Sequence, residues 1–137
     1  MDTKVTLKYK GDEEYYTVND RDNRVDIDML PRDEKQSQSP MELLLSAIIA
    51  CAAVDIVSMV KKRRKTFVDL TGEAVGERRD EHPRKYTAVN IHYVITSPDL
   101  TEEEAERIIS LAVEKYCSVA SSVNESMTLT HSFTIER

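Results

Sequence analysis

Cys51 and Cys117 are the side chains whose type and placement could do chemistry in this sequence. Read from the residues, two accounts stand side by side. In the first, both are small buried hydrophobes, because free cysteine is among the most buried residue types. In the second, they are a peroxidatic and a resolving thiol. A thiolate attacks a peroxide, becomes a sulfenic acid, and condenses with a second thiol to a disulfide. That chemistry needs a thiol pKa lowered from about 8.5 by a cation or a helix N-terminus. Cys51 lies more than two helical turns from the nearest helix start, so a cation must serve. Asp55 follows at i+4 on the same face and would work against ionisation. An activating arginine must therefore come from elsewhere, and Arg21, Arg24 and Arg32 are the candidates. Asp55 reads either as a modulator of the thiol or as half of a structural ion pair with a basic side chain.

Other chemistries find little support. There is no CxxC, and two distant cysteines make neither a disulfide scaffold nor a cysteine-based zinc site. His82, His92 and His131 show no metal-ligand spacing, so no metal or other cofactor is predicted. A net charge of −6 and a pI near 5.1 argue against general affinity for nucleic acid. The basic run Lys61, Lys62, Arg63, Arg64 and Lys65 reads as the solvated end of a helix, where cations suit the dipole. No targeting segment is visible, which points to the cytoplasm, where thiols stay reduced unless they do redox work.

The element that positions Cys51 is an apolar helix over residues 39–60. Ser39 is a good N-cap, Pro40 fits the first helical position, and Glu42 completes a capping box. Apolar residues cover every side of it, which predicts burial all round. A membrane span is the rival reading, but a carboxylate at Asp55 would cost about 2.5–3.5 kcal/mol in mid-bilayer, so no membrane partner is expected. Three short strands precede the helix. Val5, Leu7 and Tyr9 alternate with polar residues as a half-buried strand; a turn at Gly11-Asp12 leads to Tyr15–Val18, and Val25, Ile27 and Met29 make the third. After the helix come strands over 66–76 and 86–95, the second with Val89, Ile91, Tyr93 and Ile95 on one side.

Thr101 and Glu104 form a second capping box, and Ala105, Ile108, Ile109, Ala112, Val113 and Tyr116 mark one apolar face of a helix ending near Cys117. Ser118 can cap a short helix over 119–123, and 127–136 alternates as a closing strand. The order β-β-β-α-β-β-α-(α)-β predicts one α+β domain over 1–137 with a largely antiparallel sheet. A single sheet covers only one face of the central helix, so a two-fold homodimer with these helices at its heart is expected.

The run Pro40-x-Glu42-Leu43-Leu44-Leu45-x-Ala47-x-x-x-Cys51 resembles the signature helix of the OsmC/Ohr family of peroxide-resistance proteins. Glu114-Lys115-Tyr116-Cys117-Ser118-Val119 is similar to that family's second-cysteine segment. The resemblance implies an intertwined α+β homodimer, its sheets wrapped around two long central helices. It also implies a peroxidatic Cys51 and a resolving Cys117, reducing hydroperoxides, organic ones especially, with electrons from a dithiol or lipoyl-type donor. The chain resembles a divergent branch. Met41 stands where the studied members carry a glutamate, the adjacent Glu42 being the remaining carboxylate candidate, and no matching Arg-Gly-rich loop is present. Met41, Leu44 and Ile48 would give the thiol an apolar lining. An alternative is a non-catalytic protein of the same fold that binds a small apolar or sulfur-containing ligand at the dimer interface.

Overall fold

The computed structural model describes residues 2–123 and 127–137, which gather into two compact units, Met1–Leu44 and Leu45–Arg137. The first unit opens with three antiparallel strands in sequence order, β1 (Val5–Gly11), β2 (Glu14–Asn19) and β3 (Arg24–Asp28). Asn19 shapes the second turn: its Oδ1 accepts from the N–H groups of Arg21 and Asn23, an Asx-type arrangement. The half-burial expected of β1 is corrected. Val5, Leu7 and Tyr9 do share a face, but each is more than 60% exposed.

The polar loop after β3 is organised by Asp28, which is almost fully buried. Its carboxylate accepts from Lys35 Nζ at 2.5 Å and from the backbone N–H groups of Gln36 and Ser37 at 2.9 and 2.8 Å. A buried charge is tolerated when paired and hydrogen-bonded in this way.

Helix α1 (Pro40–Lys62) begins on the predicted capping box. Ser39 N donates to Glu42 Oε1 at 2.9 Å, and Glu42 N donates to Ser39 Oγ at 3.2 Å. It ends in a Schellman turn: Lys65 N donates to Val60 O, Arg64 N to Lys61 O, and Arg64 takes a left-handed φ of 59°. By length and composition α1 could cross a membrane. However, Ile48, Ala52, Ile56 and Val60, at a spacing of four, are completely buried within the second unit, which makes it a core helix. Burial all round is not what the single chain shows. Ala47, Ala50 and Val54 lie exposed on another face, Val54 at 70%.

The second sheet has the order β4 (Asp69–Arg78), β5 (Tyr86–Thr96), β6 (Thr128–Glu136). β4 and β5 are antiparallel, whereas β5 and β6 are parallel. Parallel neighbours need a long crossover, and residues 97–127 supply it. β4 starts later than expected because Thr66 is tied to Asp99, its N–H donating to Oδ1 at 2.8 Å. Register aligns Gly72 with Tyr93 and Gly76 with Val89 on the inner face. A Cβ at Gly72 would meet Tyr93 Cδ1 at 2.9 Å and Ile49 Cδ1 at 3.0 Å, so the glycine lets ring and helix come close.

The crossover begins with α2 (Glu102–Ser110) on the predicted Thr101–Glu104 capping box. Winding then changes to a π-helical segment, Leu111–Tyr116, before α3 (Ser118–Ser122). The apolar face therefore holds through Val113 but not to Tyr116. Helical spacing of four would stack Tyr116 above Ala112; spacing of five puts Cys117 there instead. Tyr116 is 49% exposed and Cys117 is buried. The cap of α3 is also corrected, from Ser118 to Cys117, whose Sγ accepts from Ala120 N.

The Lys35 ammonium, followed by the two backbone N–H groups, holds the Asp28 carboxyl below the ordinary 3.8, at about 2. A folded pKa below the unfolded one stabilises the loop at and above about pH 4, and that contribution is lost as pH falls through about 2. Amide NMR of Gln36 and Ser37 should report a titration centred near pH 2, and Asp28→Asn should abolish it. A midpoint at the ordinary carboxyl value would contradict this arrangement.

Candidate functional site

Cys51 sits in mid-α1, half-buried on the flank between the packed stripe and the open face. Cys117 comes from the end of the π-helical segment and is 1% exposed. The structure brings the two together. The Cys51 side chain lies close enough to the Cys117 thiol to push its pKa up, in part through the like charge that two thiolates would share. Cys117 is further held by Ala120 N, donating to its Sγ at 3.3 Å, while its S–H points to the Ile48 carbonyl at 3.8 Å.

These contacts set the protonation of the buried thiol. Burial is the strongest influence and pushes the Cys117 pKa up. The Ala120 N–H pulls it down, Cys51 pushes it up again, and the Val119 N–H lowers it slightly. None of these is a cation. The net direction is upward, so Cys117 is a thiol rather than a thiolate at neutral pH.

Tyr93 closes the site from the sheet. Its hydroxyl donates to Ile49 O at 2.6 Å, and the ring is almost fully buried. Burial raises its pKa most, and negative charge on Cys117 or Cys51 would raise it further. The phenol therefore remains a proton donor beside the sulfurs. Sequence periodicity placed Tyr93 on the inner face as a core residue; what it could not supply was that the ring lands beside both thiols. The signal available was a polar-tipped aromatic among Val89, Ile91 and Ile95, since a buried hydroxyl needs a partner.

The remaining candidates have contacts of their own. Glu42 is committed to the cap of α1, and its pKa is lowered by the Ser39 N–H and hydroxyl. Arg24 lies over the Tyr16 ring at 3.8 Å and pairs with Asp26 at 2.8 Å. Arg21 and Arg32 are exposed. Asp55 is half-buried, and the ion pair that was one of its two readings is not formed: among the described residues its carboxylate has no salt bridge or hydrogen bond. It lines a recess of about 320 Å³ with Ser58, Met59, Lys62 and Tyr116. Among the described residues, no cluster of three or more His, Cys, Asp or Glu side chains is placed to hold a metal.

Residues 33–132, which include both cysteines and everything described around them, match the family of OsmC-like proteins. Protein YhfA of Escherichia coli K12 is 39% identical over 100 residues, covering 73% of this chain and 75% of that protein. The crystal structure of an OsmC-like protein from Mycoplasma pneumoniae superposes with a TM-score of 0.87 at 18% identity, over 100% of this chain and 99% of that one. The organic hydroperoxide resistance protein OhrB of Bacillus subtilis shares the fold more distantly, with a TM-score of 0.65 at 15% identity over 98% of each chain. With helix, strand order and matched span in agreement, this chain belongs to the OsmC-like protein family.

Proposed function

We propose that the chain is a thiol peroxidase that reduces hydroperoxides, organic ones in particular, as part of oxidative-stress defence in the cytoplasm. One observation carries the reading: two cysteines from separate elements meet, one half-buried and one enclosed. The family's association with organic hydroperoxide resistance, as in the name of the Bacillus subtilis relative, supports it.

Cys51 is the attacking thiol because a peroxide can reach it. Its thiolate takes one peroxide oxygen, the O–O bond breaks, and the alcohol leaves with a proton, giving a Cys51 sulfenic acid. Cys117 then attacks that sulfur, the S–O bond breaks, and the hydroxyl leaves as water with the Cys117 proton. The two thiols have supplied two electrons, and a dithiol or lipoyl-type donor returns them by exchange. Tyr93 and the Ala120 N–H orient Cys117 and its neighbours, and Glu42 acts through the cap of α1. The site works in a two-fold homodimer, whose second copy covers the open face of α1.

One equivalent of cumene hydroperoxide should remove two protons and two free thiols from the reduced protein, mapped to Cys51 and Cys117 by intact mass and thiol counting. Cys117→Ser should keep a single turnover and lose recycling, while Cys51→Ser should lose both. Two unreacted thiols would leave the fold standing and favour a ligand-binding role for the same site.

The raised pKa of Cys117 fixes the pH dependence of the second step. Below its pKa the thiolate fraction grows about tenfold per pH unit, so disulfide formation should accelerate steadily from about pH 7 to 9 in rapid-quench mass spectrometry. A plateau already reached at neutral pH would contradict it. For assembly, sedimentation at micromolar concentration should give a dimer, and Val54→Lys should weaken it by at least about tenfold, since a desolvated charge costs more than 1.4 kcal/mol. A compact wild-type monomer would remove the dimer from the proposal.

A further inference from the structure

The recess lined by Asp55, Ser58, Met59, Lys62 and Tyr116 has no part in the peroxide steps. Asp55 follows Cys51 by one turn on the same helix face, where i,i+4 side chains are neighbours. Tyr116, which also lines the recess, immediately precedes Cys117 and is turned outward where Cys117 is turned in. Among the described residues of the second unit two carboxylates are half-buried, Asp55 and Glu104. Glu104 is satisfied by the Thr101 N–H and hydroxyl and by Lys65 at 3.4 Å. Asp55, in contrast, has no partner among the described residues. A carboxylate drawn partly from water and left unpaired favours a ligand cation, because a charge-assisted hydrogen bond restores what burial removed.

We propose that this recess seats a small aminothiol, whose ammonium group binds Asp55 and whose sulfur reduces the Cys51–Cys117 disulfide. Two carbons between nitrogen and sulfur, together with a charge-assisted hydrogen bond of about 2.8 Å to the carboxylate, reach across the single helical turn, about 5.4 Å, from Asp55 to Cys51. Met59 and the exposed part of Tyr116 give the short carbon chain an apolar wall. The inference rests on the disulfide of the peroxidase reading and adds a monothiol donor beside the dithiol one.

Exchange proceeds in two balanced steps. One aminothiol thiolate attacks Cys51 Sγ, the accessible sulfur, forming a mixed disulfide. Cys117 leaves as a thiolate, accepts the Ala120 N–H, and then takes a proton. A second aminothiol attacks the ligand sulfur of the mixed disulfide, releasing the Cys51 thiolate and the oxidised aminothiol disulfide. The protein gains two electrons and two protons, and two aminothiols lose them.

The test forms the Cys51–Cys117 disulfide with diamide, so that no peroxide activity is required. Its reduction by cysteamine, 2-mercaptoethanol and 3-mercaptopropionate is then timed by thiol release. Each rate is divided by that thiol's rate on a small model disulfide at the same pH. Cysteamine should exceed 2-mercaptoethanol by about tenfold on this scale, while 3-mercaptopropionate serves as the anionic control for Lys62, which lines the same recess. Asp55→Asn should bring the cysteamine to 2-mercaptoethanol ratio down to that of the model disulfide, whereas Glu73→Gln, on the outer face of β4, should preserve it. Equal normalised rates in the wild-type protein overturn the proposal without reference to any variant. So does a preference that survives Asp55→Asn or vanishes equally in Glu73→Gln, since general attraction to an acidic protein would then explain it. Failure of diamide to join the two cysteines also overturns it. A protein that shows the preference but ignores cumene hydroperoxide would keep this site and lose the peroxidase reading.

Discussion

The close approach of α1 to the inner face of the second sheet is the constraint on which the site depends. Gly72 leaves no Cβ between helix and strand, so the Tyr93 ring fits beside Ile49 and its hydroxyl reaches the Ile49 carbonyl. Ala52 keeps the packed stripe of the helix thin at the turn that carries Cys51. With α1 seated at this depth, the Ile48 carbonyl faces the Cys117 thiol, and Cys51 is carried to the same place. Interiors packed like crystals transmit such requirements over several residues. Here, the absence of one side chain on β4 determines which backbone carbonyls of α1 meet the sheet and the crossover.

The two thiols are made unequal by their surroundings rather than by their own chemistry. Cys117 is enclosed, and the upward push of burial outweighs the pull of the Ala120 N–H. A protonated, buried sulfur makes a slow nucleophile toward solvent species and a well-placed one toward a neighbour that has already reacted. Cys51 is reachable. In the proposed cycle, accessibility therefore orders the steps. Tyr93, held as a neutral phenol by the same burial, adds a polar but uncharged wall.

Much of this was legible in the sequence wherever local chemistry decides local structure. The caps at Ser39–Glu42 and Thr101–Glu104 appear as their residue types require, and the alternation from Tyr86 to Ile95 places Val89, Ile91, Tyr93 and Ile95 inside. The two cysteine segments were legible as well, by resemblance. What escaped depends on long-range geometry. Nothing in the alternation of β6 distinguishes a parallel from an antiparallel partner, because period two is common to both. The change to π winding at Leu111 leaves no mark in the apolar pattern, yet it turns Tyr116 out and Cys117 in. One of the two readings of Asp55 was half of an ion pair, because a charge within an apolar helix ordinarily needs a partner. The structure instead gives it a recess.

The apolar character of α1 also explains why its exposed face bears on chemistry. The stripe Ile48, Ala52, Ile56 and Val60 needs only one side of the helix, while Ala47, Ala50 and Val54 remain apolar without a covering layer in the single chain. Cys51 lies between those two faces. Any layer that covers the open one removes water from the flank as well, and a drier flank strengthens each electrostatic contact made by the sulfur and by Asp55. Assembly and reactivity are then set by the same surface, since a residue chosen to pack on a partner also fixes the dielectric around the thiol. A helix with a polar outer face could fold against the sheet equally well. It would not make the thiol environment depend on a second copy of the chain, as the proposed homodimer does, and in that proposal the dependence accounts for apolar residues on a face that the fold alone leaves open.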